Sequence, residues 1–163
     1  MDYGNCSTQS SNKIITAEEH RRKLSILNPS EKVVRKIKID GCLIAKIDTS
    51  LRCDYMFEIN KPNMNVIAKV IYLELKGEGV KHAYDQLVAS IQRFSDIHRD
   101  CEKECYIVSS KVPRLTTSVQ QLMTKMRKDK KMPIQKCKDL EVYNESFDLA
   151  MEIFDETRKF PQV

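Results

Sequence analysis

The run Val66–Leu75 constrains this chain more than any other segment. Its β-branched and aromatic residues suit a pleated strand, and a run this apolar belongs inside a sheet rather than at its edge. Yet it closes on Glu74-Leu75-Lys76, and Gly77-Glu78-Gly79 then breaks it. A second apolar segment, Cys53–Ile59, precedes it, and the stretch from Asn60 to Asn65 between them is dense in turn formers. The pair is therefore predicted to be an antiparallel hairpin. Alternation puts Asp54, Met56 and Glu58 on one face of the first strand, and Tyr72, Glu74 and Lys76 on one face of the second. A turn over Lys61–Asn65 sets Asp54 opposite Tyr72, with Glu74 diagonal to it at about 7 Å. A slip of one residue would send Asp54 to the other face.

Around the hairpin the pattern alternates between periods. Residues 1–15 are polar and aperiodic and read as a flexible tail. Thr16-Ala-Glu-Glu19 has capping-box spacing, which predicts a helix to about Leu27, ended by Asn28-Pro29. Val34–Asp40 and Cys42–Ile47 read as strands. A helix follows the Gly77 break from about Val80 to His98, with Ala83, Tyr84, Leu87, Val88, Ile91 and Phe94 on one stripe. Cys105–Ser109 reads as a buried strand. A helix is expected after Thr117, with Val119, Leu122, Met123 and Met126 on its core face, then a strand over Leu140–Tyr143. Phe147, Ala150, Met151 and Phe154 mark a terminal amphipathic helix. The order implies an α/β fold, a mixed central sheet flanked by helices, with residues 16–163 as one domain.

Composition narrows the class. The chain has 163 residues, 41% hydrophobic and 31% charged, enough for one working core. No run approaches the roughly 20 apolar residues of a spanning helix, and no secretory pattern opens the sequence. A cytoplasmic protein is expected, nuclear if the source is eukaryotic, with no membrane contact and with its six cysteines reduced. Cys101 and Cys105 are spaced for zinc, but no second pair completes four ligands. Net charge is +5. The basic run Lys125, Arg127, Lys128, Lys130, Lys131, Lys136 and Lys138 is either a solvated face or a contact for nucleic-acid phosphates.

Asp54 and Glu74 on one face offer two carboxylates to a hard cation. Mg²⁺ takes oxygen ligands, typically one or two carboxylates with waters and phosphate oxygens, and Mn²⁺ can substitute. The Leu75 backbone carbonyl offers a third oxygen, and Lys76 can touch an attacking water or a phosphate. Alone, Glu74 and Lys76 would be no more than an ion pair at a strand end. No P-loop, nucleophile elbow or dinucleotide fingerprint competes.

Arg52-Cys-Asp54, the hairpin and Glu74-Leu75-Lys76-Gly77 resemble the acidic residue, hairpin and E-x-K elements of the PD-(D/E)XK nuclease superfamily, with Cys53 at the position of the name-giving proline. Ala83-Tyr-Asp-Gln86-Leu87 resembles the helix after E-x-K in that superfamily. The motif-bearing likeness runs from Ile39 to Ser90 and implies a restriction-endonuclease-like αβββαβ core. It further implies Asp54, Glu74 and Lys76 as catalytic residues, Asp54, Glu74 and the Leu75 carbonyl as Mg²⁺ ligands, and Gln86 as a residue orienting substrate or ligands. An acid in the first helix, Glu18 or Glu19, would be the extra ligand some members use. Lys81 at the helix start and Lys128, Lys130 and Lys131 are the candidate phosphate contacts. The expected function is metal-dependent hydrolysis of nucleic acid, DNA favoured over RNA, by a homodimer or larger complex. The alternative is a catalytically inactive nucleic-acid-binding or protein-interaction module on the same fold.

Overall fold

The computed structural model describes residues 2–20, 22–62, 64–76, 79–109, 137–144 and 149–152. The hairpin is present: β5 (Tyr55–Asn60) runs antiparallel to β6 (Ile67–Lys76). On one side of it lie β4 (Val34–Lys38) and β1 (Ser7–Ser10). On the other lie β7 (Glu102–Ser109) and β8 (Cys137–Asn144). The sheet order is β1-β4-β5-β6-β7-β8, antiparallel as far as β6 and parallel beyond it. The chain is thus mixed α/β, with the apolar run at the centre of a six-stranded mixed sheet. Central strands lack a solvated edge, which is why β6 tolerates so few polar residues.

Helix α1 (Val80–Arg93) covers one face of this sheet. It stops short of the expected His98; residues 94–100 are turns. Val80, Ala83, Tyr84, Leu87 and Ile91 of α1 pack with Ile37, Met56, Val70, Tyr72 and Ile107 of the sheet. Gly79 precedes the helix in a left-handed conformation at φ 86°, where a Cβ would be strained.

The opposite face is covered by a second, three-stranded sheet rather than by a helix, with order β2-β3-β9. The segment expected to form the first helix is instead a hairpin, β2 (Ile14–Glu19) and β3 (Arg22–Leu27). Its buried residues, Ile15 and Ala17 against Leu24 and Ile26, recur at intervals of two and supply no stripe at intervals of three and four. The Thr16 hydroxyl pairs across the strands with that of Ser25 at 3.2 Å instead of capping a helix. His20 turns the corner at φ 49°, a conformation histidine adopts more readily than most residues. Ile15, Ala17, Leu24 and Ile26 meet Tyr55, Phe57, Ile71, Leu73 and Val108 in a second core.

Other expectations change as well. The N-terminal residues are no tail: Gly4–Cys6 form a 3-10 turn, β1 pairs with β4, and Tyr3 is buried. Cys42–Ile47 makes turns around an Asp40–Ile44 bridge rather than a strand. Ala150 and Met151 lie in β9 (Leu149–Glu152), parallel to β3, and not in a terminal helix. Cys6 and Cys42 form a disulfide, and Cys105 is also disulfide-bonded, so the thiols are not all reduced. The helix expected after Thr117, with Met123 and Met126, lies outside the described residues. So do Lys125, Arg127, Lys128, Lys130, Lys131 and Lys136. No helix among the described residues is long and apolar enough to cross a membrane.

Candidate functional site

The hairpin pairs in an even register, but with different partners from the expected ones. Tyr55 pairs with Leu73 and Met56 with Tyr72; one step further sets Asp54 level with Glu74, not with Tyr72. A bulge between Ile59 and Asn60 takes up one residue of this two-residue difference, and the loop closes with Lys61 N–H on Val66 O at 2.8 Å. Residues directly opposite in an antiparallel pair have Cβ atoms about 5 Å apart, closer than the diagonal arrangement. By alternation along β6 Glu74 shares the face of Tyr72, which packs on α1, while Asp54 lies in a bend just before β5, next to Cys53 of that same core.

Glu74 is buried and Asp54 is half-buried. Asp54 Oδ2 accepts the Leu75 N–H at 2.6 Å, which continues the hydrogen bonding of the hairpin through a side chain. Within a strand the N–H and C=O of one residue point to the same edge. The Leu75 carbonyl therefore projects along the edge on which Asp54 lies. Burial first, then the negative charges of Glu74 and Asp54, push the Cys53 thiol well above the usual range. The hydrogen bond with Ser90 works against that shift without cancelling it.

The segment leading into Asp54 is held from two directions. Gln86 Nε2 on α1 donates to Arg52 O, and Ser90 Oγ accepts the Cys53 N–H, both at 2.8 Å. The Arg52 guanidinium organises the preceding loop: Nε bonds Asp40 Oδ1 at 2.7 Å, while one terminal nitrogen reaches the carbonyls of Asp48 and Ser50. Lys81 and His82 are exposed in the first turn of α1, which carries no acidic residue. Lys76 ends β6, its backbone level with Ser109 of β7.

Glu18 and Glu19 do not join this group. They lie on β2, which packs on the Tyr55 face, and Glu19 pairs with Lys38 at 3.6 Å. Glu58 is not at a solvated strand end but buried in a network that residue-by-residue reading missed. It accepts from Tyr3 Oη at 2.5 Å and Arg35 at 3.3 Å, and lies 3.0 Å from His98 Nε2. His98 Nδ1 in turn meets Tyr72 Oη at 2.7 Å. An acid and a histidine in otherwise apolar segments were the available signals, but their partners lie more than 20 residues apart in sequence.

The oxygen donors at the hairpin end are two carboxylates and a backbone carbonyl. Hard and anionic, this set fits Mg²⁺ or Mn²⁺ and suits a thiolate-seeking metal poorly. Among the described residues no group of three or more His, Cys, Asp or Glu side chains converges as a metal cage; a Mg²⁺ site sharing its shell with waters and phosphate needs none. A cavity of about 580 Å³ opens at the other end of the hairpin, beside Lys32, Asn60, Lys61 and Met64, away from the carboxylates. No protein-family model, curated protein or solved structure matches the chain.

Proposed function

We propose that this protein is a Mg²⁺-dependent nuclease that hydrolyses phosphodiester bonds, with DNA as its substrate, on a restriction-endonuclease-like core. The observation that carries the reading is the Asp54 carboxylate accepting the Leu75 N–H at the end of a register that, extended one step beyond Tyr55 and Leu73, brings Asp54 level with Glu74. The order β4-β5-β6-α1-β7 supports the core assignment, since it follows the family's βββαβ succession. The family's leading helix is replaced here by the β2–β3 hairpin.

In this reading Asp54 and Glu74 hold the cation with the Leu75 carbonyl. The bound ion supplies Lewis-acid stabilisation of phosphate charge and acidifies a water. Lys76, two residues beyond Glu74 in β6, assists at the water or the phosphate. The start of α1, with Lys81 and His82 and no acidic residue in its first turn, favours a phosphate nearby. Gln86 acts on the backbone before Asp54 rather than on substrate. Lys128, Lys130 and Lys131 remain candidate phosphate contacts, and a homodimer or larger complex is the proposed assembly.

Plasmid and linear DNA incubated with the protein and Mg²⁺ or Mn²⁺ test the activity. Wild type is expected to cleave, and Lys76→Ala and Asp54→Ala to lose at least about 100-fold in rate, the scale of removing one charge-stabilising group. Equal background cleavage by all three would overturn the enzyme reading. One observation favours an inactive module instead: the Leu75 hydrogen bond gives Asp54 a structural reason to be where it is. Calorimetry separates the two, because a structural Asp54 predicts no Mn²⁺ binding that Asp54→Ala removes.

A further inference from the structure

We infer that Gln86 and Ser90 are positioning residues for Asp54, acting through the single peptide unit that joins Arg52 to Cys53. The inference rests on the metal-site reading of Asp54. The two hydrogen bonds from α1 go to the two ends of one amide: Gln86 donates to its carbonyl and Ser90 accepts from its N–H, each at 2.8 Å. In a trans peptide these groups point in opposite directions, and the described chain holds no cis bond. Gripping both therefore fixes the orientation of the amide plane, which one bond alone would leave free to swing. Gln86 and Ser90 are four residues apart on α1, so they lie on one helix face with Cβ atoms about 5–6 Å apart.

The gripped unit directly precedes Asp54. The Asp54 carbonyl accepts the Ile39 N–H at 2.8 Å and its carboxylate accepts the Leu75 N–H at 2.6 Å. Asp54 is thus located from the end of β4, from β6 and, through the 52–53 amide, from α1. Ser90 is fully buried, as is Cys53, so no water substitutes for the hydroxyl. A helix interior ordinarily has no use for a buried serine, whose hydroxyl costs free energy unless bonded. Here its bond spans 37 residues and ends beside a candidate ligand.

Mn²⁺ titration calorimetry and thermal melting of the full chain test this with a set of single substitutions. Ser90→Ala and Gln86→Met each release one end of the amide and are expected to weaken Mn²⁺ binding roughly 10–100-fold, the scale of outer-shell ligand supports. Ser90→Thr keeps the hydroxyl and should restore binding. Leu87→Ala, which removes a buried side chain of the same helix, should lower the melting temperature and leave Mn²⁺ affinity unchanged. Should Ser90→Ala fail to fold, the half-buried Gln86→Met carries the test. Wild-type affinity in Ser90→Ala and Gln86→Met, with binding lost in Asp54→Ala, overturns the positioning role and leaves the metal site standing. Equal weakening by Leu87→Ala also overturns it. Wild-type binding by Asp54→Ala overturns the metal site and, with it, this role.

Discussion

Glu58 within β5 and Asp54 in the bend just before it have opposite environments. Asp54 is half-buried at the open end of the hairpin, whereas Glu58 is buried among Tyr3, Arg35 and His98. Burial by itself would raise the Glu58 carboxyl. Hydrogen bonds from His98 and Tyr3, with the charges of His98 and Arg35, outweigh it and hold the group below its ordinary value of 4.5. A carboxylate depressed in the folded state contributes stability that is whole above the unfolded value. That contribution is lost as pH falls through the folded one. Wild-type stability is therefore expected to decline as pH drops below about 4.5. Glu58→Gln should flatten this decline while costing about 1–3 kcal/mol near neutrality, as partners of a buried carboxylate lose their acceptor. Urea melts of both proteins between acid and neutral pH measure the effect. Identical acid slopes would exclude Glu58 as its source.

At the scale of elements, β5, β6, α1 and β7 were legible because each has a dominant period. The β2–β3 hairpin was not. Thr16 and Glu19 have the spacing of a helix cap, and a cap signal is local, while the signal that decided the segment is the interval between Ala17, Leu24 and Ile26 across a turn. The three-stranded sheet also needs β9, more than 120 residues downstream of β3 in pairs such as Leu24 with Leu149. Leu24 is fully buried in the resulting core and Glu18 is exposed. Leu24→Ala should cost about 2–5 kcal/mol of folding free energy, and Glu18→Ala should stay within about 0.5 kcal/mol. Chemical denaturation checks both; equal, small effects would show that this hairpin does not pack on the large sheet.

Across the whole molecule, the N-terminal segment is tied in twice. Tyr3 enters the core under α1, and the Cys6–Cys42 disulfide fastens the residues before β1 to the turn after β4. The bridge closes a span of 36 residues, for which a constrained unfolded chain predicts stabilisation of about 2–4 kcal/mol. Reduction by dithiothreitol, or a Cys6→Ser/Cys42→Ser variant, should lower the melting temperature accordingly. An unchanged melt would mean that the Tyr3 contacts and the pairing of β1 with β4 hold the segment without the bridge.

The sequence by itself determined the central hairpin with its even register, the helix behind Gly79 and the α/β class. Each follows from an apolar period or a turn within about thirty residues, where local sterics and burial suffice. Tertiary structure alone decided that Met56 rather than Asp54 pairs with Tyr72, because a one-residue bulge between Ile59 and Asn60 and a longer loop together moved the pairing by two residues. It alone turned a capped helix into a strand pair, since burial against Phe57 and Leu73 outweighs a helix cap of about 1 kcal/mol. And it alone joined Ser90 to Cys53 and Glu58 to His98. Hydrogen bonds that close only after distant segments pack leave no spacing in the chain from which to read them.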